Sequence, residues 1–345
     1  MLGAVPKPLV LITILVFLIG SLGFSLYLGS AQDDSLIIDA IAVGDKPVAL
    51  ALSIDGLFAY VANGDGGSIS ILDLTENNQI AEIEVGRDPN SIALTPDGQK
   101  AYVSNTGDND VSVINLATQL NSESDIRVTL FPYEIAIAPN GKIAYVVNRR
   151  ANLVSIIDIE TDQNIGFIRT GQNPVRIAIN SEGTVGYVVN FVSKNISVLD
   201  LVDRNVVDTF SIPGGPFAIN EGPFDITISP DNSMLLLGYI GEETSELVVL
   251  NTSDGTHIAS IPVGIEPTDI EFTSNGRYAF VVNIDSNSVS IVDLDSMSNL
   301  GLDFEVGARP FDIELSPDET RAYVASADDD TVWVIDLTKI AFPED

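Results

Sequence analysis

The chain has 345 residues, 49 of them acidic and 16 basic, for a net charge of -33; a surface of that sign repels nucleic acid and anionic lipid headgroups. It has no cysteine, which excludes disulfides, thiolate metal sites and cysteine nucleophiles. With His257 as its one histidine, it can build neither a histidine-rich metal centre nor a Ser-His relay with a spare partner.

From Pro8 to Leu28 the segment PLVLITILVFLIGSLGFSLYL carries no charge, with Lys7 before it and Asp33 and Asp34 after it. As a helix at roughly 1.5 Å per residue it spans about 31 Å, the thickness of a bilayer core. Gly29-Ser30-Ala31 is also a small-residue cleavage site, so residues 1–31 read as a signal anchor or a signal peptide. The length of the apolar run favours the anchor. Either reading places the remainder outside the cytoplasm, at the cell surface or secreted.

Beyond the leader a hairpin pattern repeats: AYVANGDGGSISILD at 59–73, AYVSNTGDNDVSVIN at 101–115, AYVVNRRANLVSIID at 144–158, GYVVNFVSKNISVLD at 186–200, AFVVNIDSNSVSIVD at 279–293 and AYVASADDDTVWVID at 322–336. A degenerate copy covers 235–251, with Tyr239 where the other copies place Asn or Ser. The marker residues Tyr60, Tyr102, Tyr145, Tyr187, Leu236, Phe280 and Tyr323 are spaced 42, 43, 42, 49, 44 and 43 residues apart. A proline recurs in step at 47, 89, 132, 174, 223, 267 and 310, usually after Gly-x-x.

Each proline precedes an alternating apolar stretch and a turn such as TPDG or SPDE, so each unit reads as four short antiparallel strands. Alternation with β-branched residues excludes a helical solenoid of similar period. The expected fold is all-β: a seven-bladed β-propeller over residues 35–341. The chain ends after a third strand, TVWVIDL, while SLIIDAIAVG at 35–44 resembles the outer strand NQIAEIEVG. The N-terminal strand should therefore complete the last blade and remove an open edge. Its first residue should lie on the bottom face, opposite the Gly-x-x-Pro loops. Trp333, where other blades carry serine, is expected to fill the seam. The insertion SIPGGPFAINEGPF at 211–224 reads as a longer top-face loop.

The YVAN, YVSN, YVVN and VSVINL stretches, with SPD and Gly-x-x-Pro around them, resemble the YVTN-repeat β-propellers. That family includes domains of archaeal and bacterial surface proteins. The resemblance implies a cell-surface or secreted interaction protein; its motifs are structural, with the asparagine expected to cap a turn and Gly-x-x-Pro to fix a crossover.

Little of the sequence has catalytic spacing. The Asp-rich tips GDGGS, GDND and ADDD lack the spacing and terminal Glu of a calcium loop, and Asx-turn chemistry accounts for them. Asn195 and Asn251 begin formal glycosylation sequons. His257 and Arg149-Arg150 read as exposed rim and hairpin-tip residues. The innermost strand says more: two residues after each proline stand Ala49, Ser91, Glu134, Arg176, Asp225, Asp269 and Asp312, and two further on Ala51, Ala93, Ala136, Ala178, Thr227, Glu271 and Glu314. One arc of the axial channel is therefore acidic, with Arg176 as its counter-charge. A solvated channel is where such carboxylates belong, and calcium could bridge them. Three functions are open: a non-enzymatic binder of a cell-envelope protein or glycan through the top face, a lactonase-like hydrolase or lyase using the channel carboxylates, and a structural envelope component.

Overall fold

The computed structural model describes residues 36–122, 124–213, 221–241 and 245–343. The expected anchor or signal helix lies outside them, as do residues 214–220 of the 211–224 loop. Among the described residues no helix is long and apolar enough to cross a membrane. The unit Asp33–Asp345 folds as seven antiparallel sheets, each built from strands consecutive in sequence except at the closure.

Blade one shows the plan: an inner strand Pro47–Leu52, then Phe58–Asn63, Ser68–Asp73 and an outer strand Asn78–Glu84. At the closure, Ile37–Ala42 pairs antiparallel with Thr331–Asp336, with Ala40 opposite Trp333 and Ala42 opposite Thr331. The closing strand therefore starts on the bottom face and ends on the top. Blades two and six depart from the regular form. Their outer strands are interrupted, as Leu120–Asn121 with Ile126–Arg127 and as Ser298–Asn299 with Phe304–Glu305. Between those pieces blade two has only polar residues, whereas blade six sets Gly301 between Leu300 and Leu302.

The marker proline opens the inner strand, or lies one residue inside it in blade five. It supplies no N–H, and all seven inner strands bulge directly after it. A bulge re-aims the side chains that follow, here those two and four residues after the proline. In six blades the residue before the proline is held at positive φ, as at Lys46, Asp88 and Phe131.

Apolar side chains pack between blades. Seven clusters fill the seven blade-to-blade interfaces, including one that joins Ile41, Tyr323 and Val332 to Leu50, Ala59 and Val61 across the closure. Trp333 differs from expectation. It stands opposite Ala40, but its side chain packs with Phe304, Val306 and Ile335 between blades six and seven. Strand alternation explains this, since Val332 and Val334 on either side of it face blade one.

The repeated asparagine does more than cap a turn. Asn63, Asn105, Asn148, Asn190 and Asn283 are fully buried, and each donates from Nδ2 to a serine Oγ on the third strand, Ser70, Ser112, Ser155, Ser197 or Ser290, at 2.9–3.0 Å. The two blades without this asparagine also lack the serine, having Tyr239 with Val248 and Ser326 with Trp333. Gly-x-x-Pro follows from the same packing. A Cβ on Gly86 would lie 2.5 Å from Asn105 Cγ, and Gly44, Gly171 and Gly264 are covered in the same way.

Candidate functional site

The inner strand is the edge strand of every blade, so its N–H groups face the axis without a ladder partner and need acceptors. In four blades the residue two after the proline supplies one to the next blade. Ser91 Oγ accepts the Ile135 N–H at 3.3 Å, Glu134 Oε2 that of Ile177 at 2.5 Å, Asp269 Oδ2 that of Ile313 at 3.0 Å and Asp312 Oδ2 that of Leu50 at 2.6 Å. Asp225 Oδ2 has no hydrogen-bond partner among the described residues, and Ala49 and Arg176 cannot accept. The Arg176 guanidinium lies 3.6 Å from Glu134 Oε1 and 3.5 Å from Asp225 Oδ1, and it donates to the Thr268 carbonyl at 3.5 Å.

The expected solvated arc is thus partly withdrawn from water: Asp225 is buried, and Glu134, Arg176, Asp269, Glu271, Asp312 and Glu314 are half-buried. The side chains of Arg176, Glu134 and Asp225 are 19, 14 and 4 % exposed, because the blades close around groups that satisfy backbone N–H and one another. Burial pushes Glu134 up to about 7 against the pull of Arg176. It pushes Glu314 up to about 8, with the charge of Asp269 adding to it. Asp225, Glu271 and Asp312 are raised well above the carboxylate range, first by burial and then by neighbouring carboxylates, with Arg176 opposing at Asp225 and Asp312. For Arg176 itself, burial favours loss of the proton, but the surrounding carboxylates outweigh it and hold the charge.

The structure therefore gathers Glu134, Arg176 and Asp225 into one paired group. Asp269 and Asp312 form a second, coupled by charge, and Glu271 and Glu314 a third, coupled by charge further toward the bottom face. Among the described residues no group of three or more Asp, Glu or His is arranged to hold a metal ion. The Asp-rich tips bond to the loops beside them. Asp108 takes the Arg87 guanidinium at 2.7 Å, Asp330 Oδ1 the Lys46 N–H at 2.8 Å, and Asp65 the Lys46 Nζ at 3.2 Å. His257 is exposed, 3.0 Å from Ser260 Oγ, and Asn195 and Asn251 are half-buried.

The top face holds what composition did not reveal. Arg149 and Arg150, expected as a solvated tip, lie over aromatic rings. The Arg149 guanidinium carbon is 5.0 Å from the Tyr133 centroid and 6.0 Å from that of Phe224, and Arg150 is 4.2 Å from Phe131. Phe131, Tyr133, Phe224 and Phe191 continue as a row, with centroid steps of 6.5, 6.1 and 6.3 Å. These rings come from the loops and inner-strand starts of blades three, four and five. Each is unremarkable in its own repeat, and only the ring geometry assembles them.

Fold and repeat together define the class: a seven-bladed β-propeller of four-stranded blades, closed by its N-terminal strand. The chain belongs to the YNCE-like beta-propeller family, whose sequence model matches residues 44–339, in keeping with its YVTN-type repeats. Among solved structures, a chain of Kuenenia stuttgartiensis hydrazine synthase is similar in fold. It is 21 % identical, with a TM-score of 0.78 over 90 % of this chain and 98 % of that one. At that identity the likeness is one of fold alone. No curated protein matches the chain.

Proposed function

We propose that this propeller is a non-enzymatic binding protein that works outside the cytoplasm, holding a protein or glycan partner at the cell surface through its top face. The observation that carries the reading is the pair Arg149 and Arg150. Both are stacked on rings at the top face, and neither meets a carboxylate among the described residues. A stacked guanidinium keeps its N–H fork oriented outward for a partner's acceptors. The uncharged segment from Pro8 to Leu28 supports an extracytoplasmic site of action. Glu134, Asp269 and Asp312, by contrast, accept backbone N–H groups, and Glu134 and Asp225 lie beside Arg176, which favours a structural role for these four carboxylates.

The test uses residues 35–345 on isolated cell envelopes. Saturable retention should fall when Arg150 and Phe191 on the top face are replaced, and stay unchanged when Asp97 and Asp318 in the bottom turns are replaced. Retention that ignores the top face would overturn the reading. A hydrolase or lyase is the second reading, favoured by Glu134, whose carboxyl titrates near neutrality beside Arg176. Turnover of lactones by pure protein, with or without added metals, and its loss in Glu134→Gln, would establish that reading instead.

A further inference from the structure

The acidity of this chain is not evenly spread over the top face. The connections that reach it are the loop before each inner strand and the hairpin between second and third strands. In blade one these contain Asp45 and Asp65, in blade two Asp88 and Asp108, in blade five Glu221, in blade six Glu266 and Asp285, and in blade seven Asp328, Asp329 and Asp330. Blades three and four contain none. Their loops, 128–131, 149–152, 170–173 and 191–194, carry Arg149, Arg150 and Lys194 instead. A molecule of net charge -33 thus has one sector of reversed sign, and that sector bears the aromatic row.

Arg149 is positioned rather than loose. Its Nε donates to Asn173 Oδ1 at 2.6 Å, its backbone N–H to the Phe131 carbonyl at 2.9 Å, and its guanidinium lies beside both the Tyr133 and the Phe224 rings. The terminal guanidinium nitrogens make no hydrogen bond or ion pair among the described residues. A fixed, stacked arginine suits planar bidentate capture of a carboxylate. Half-buried rings beside it present apolar, polarisable surface of the kind that packs against the C–H face of a sugar ring.

We propose that this sector binds an acidic glycan, a short oligosaccharide with sugar carboxylates, its pyranose faces on the row Phe131, Tyr133, Phe224 and Phe191 and its carboxylates on Arg149 and Arg150. The proposal rests on the top-face binding reading and names the partner. An acidic peptide fits less well. Extended peptides gain affinity by pairing with an exposed strand edge, and this sector presents hairpin tips and ring faces. A nucleic acid fits less well still, since a dense polyanion meets the repulsion of the whole molecule, whereas contacts inside a Debye length of about 10 Å see mainly the local arginines.

Calorimetric titration of the full chain compares a short oligogalacturonate, its carboxyl-reduced neutral counterpart and an oligoaspartate of equal charge. The expected result is saturable binding of the oligogalacturonate alone, weakened about tenfold or more in Arg149→Gln and in Arg150→Gln. Phe191→Ser should weaken it too, and Arg87→Gln, a salt-bridged top-face arginine of blade two, should leave it unchanged. Absence of saturation at about millimolar sugar, equal binding of the neutral sugar or the peptide, or indifference to both arginine substitutions would overturn the proposal. If oligogalacturonate fails while envelope retention still depends on the top face, only the glycan assignment falls. If retention is also indifferent to the top face, the binding reading falls with it.

Discussion

Asp312 Oδ2 accepts the Leu50 N–H at 2.6 Å, a bond that spans 262 residues of sequence and joins the last blade to the first at the axis. On the outer side of blade seven the closing strand Ile37–Ala42 completes the sheet, and between blades seven and one an apolar cluster fills the interface. The ring is therefore closed by three kinds of interaction at three radii. The same carboxylate that closes it belongs to a group whose mutual repulsion opposes closure.

The two roles of Asp312 separate by substitution. Asp312→Asn keeps an acceptor for Leu50 and removes the charge, so stability at neutral pH should hold or rise. Asp312→Ala removes the acceptor and strands a buried N–H, at a cost of about 1–3 kcal/mol. Chemical denaturation of both variants checks the order; an alanine variant as stable as the asparagine variant would show that the bond contributes nothing.

Ile41 is 3 % exposed in the closing strand, whereas Ile38 is 44 % exposed. Ile41→Ala should cost about 2–5 kcal/mol by leaving a cavity at the closure, and Ile38→Ala less than about 1 kcal/mol. Deleting residues 36–43 removes the whole strand and should cost as much as a typical domain's entire stability. Thermal melts rank the three, and equal losses for Ile41→Ala and Ile38→Ala would contradict the strand's placement.

Much of this was legible in the sequence because a repeat samples the same physics seven times. The period, the four-stranded unit and the closing strand follow from markers such as Tyr102 and Pro89. Trp333 was misjudged because its position was known but not the face of the strand it occupied. The role of Asn105 was hidden for a different reason. Its partner Ser112 lies seven residues on, across a hairpin, and shows as a pair only when blades lacking one are seen to lack the other. The channel carboxylates were located correctly, but their bonds run from one blade to the next, a relation between residues more than 40 positions apart. The rings beside Arg149 come from three different repeats, and no local pattern links them.

The packing of Gly86 on Asn105 predicts a coupled pair. Gly86→Ala places a Cβ 2.5 Å from Asn105 Cγ and should destabilise by about 1–3 kcal/mol. Asn105→Gly removes the bonds to Ser112 and Asp110 but opens that space. Combined, the two changes should cost less than their sum by on the order of 1 kcal/mol. Strict additivity in the cycle would mean that the glycine is there for backbone freedom alone.

The channel carboxylates predict the direction of pH dependence. Glu134 and Glu314 are raised to about 7 and about 8, and Asp225, Glu271 and Asp312 are raised as well. In the unfolded chain the same groups titrate near pH 4. Between those values the folded protein holds more protons than the unfolded one, so stability falls as pH rises. Their contribution is complete below about pH 4 and is lost as pH passes through about 7 and 8. Turn aspartates such as Asp73, Asp97 and Asp318 are lowered by hydrogen bonds from neighbouring hydroxyl and N–H groups. Their contribution disappears as pH falls below the normal carboxylate range, so the two sets place the maximum on the mildly acidic side. Melting temperature should peak at about pH 4 and decline toward pH 8. Glu271→Gln and Glu314→Gln replace carboxylates that repel one another, and each should raise stability at pH 8 by on the order of 1–2 kcal/mol while changing little at pH 5. A melting profile flat from pH 5 to pH 8, or glutamine variants that destabilise equally at both values, would show that these carboxyl groups are ionised and solvated in the folded ring.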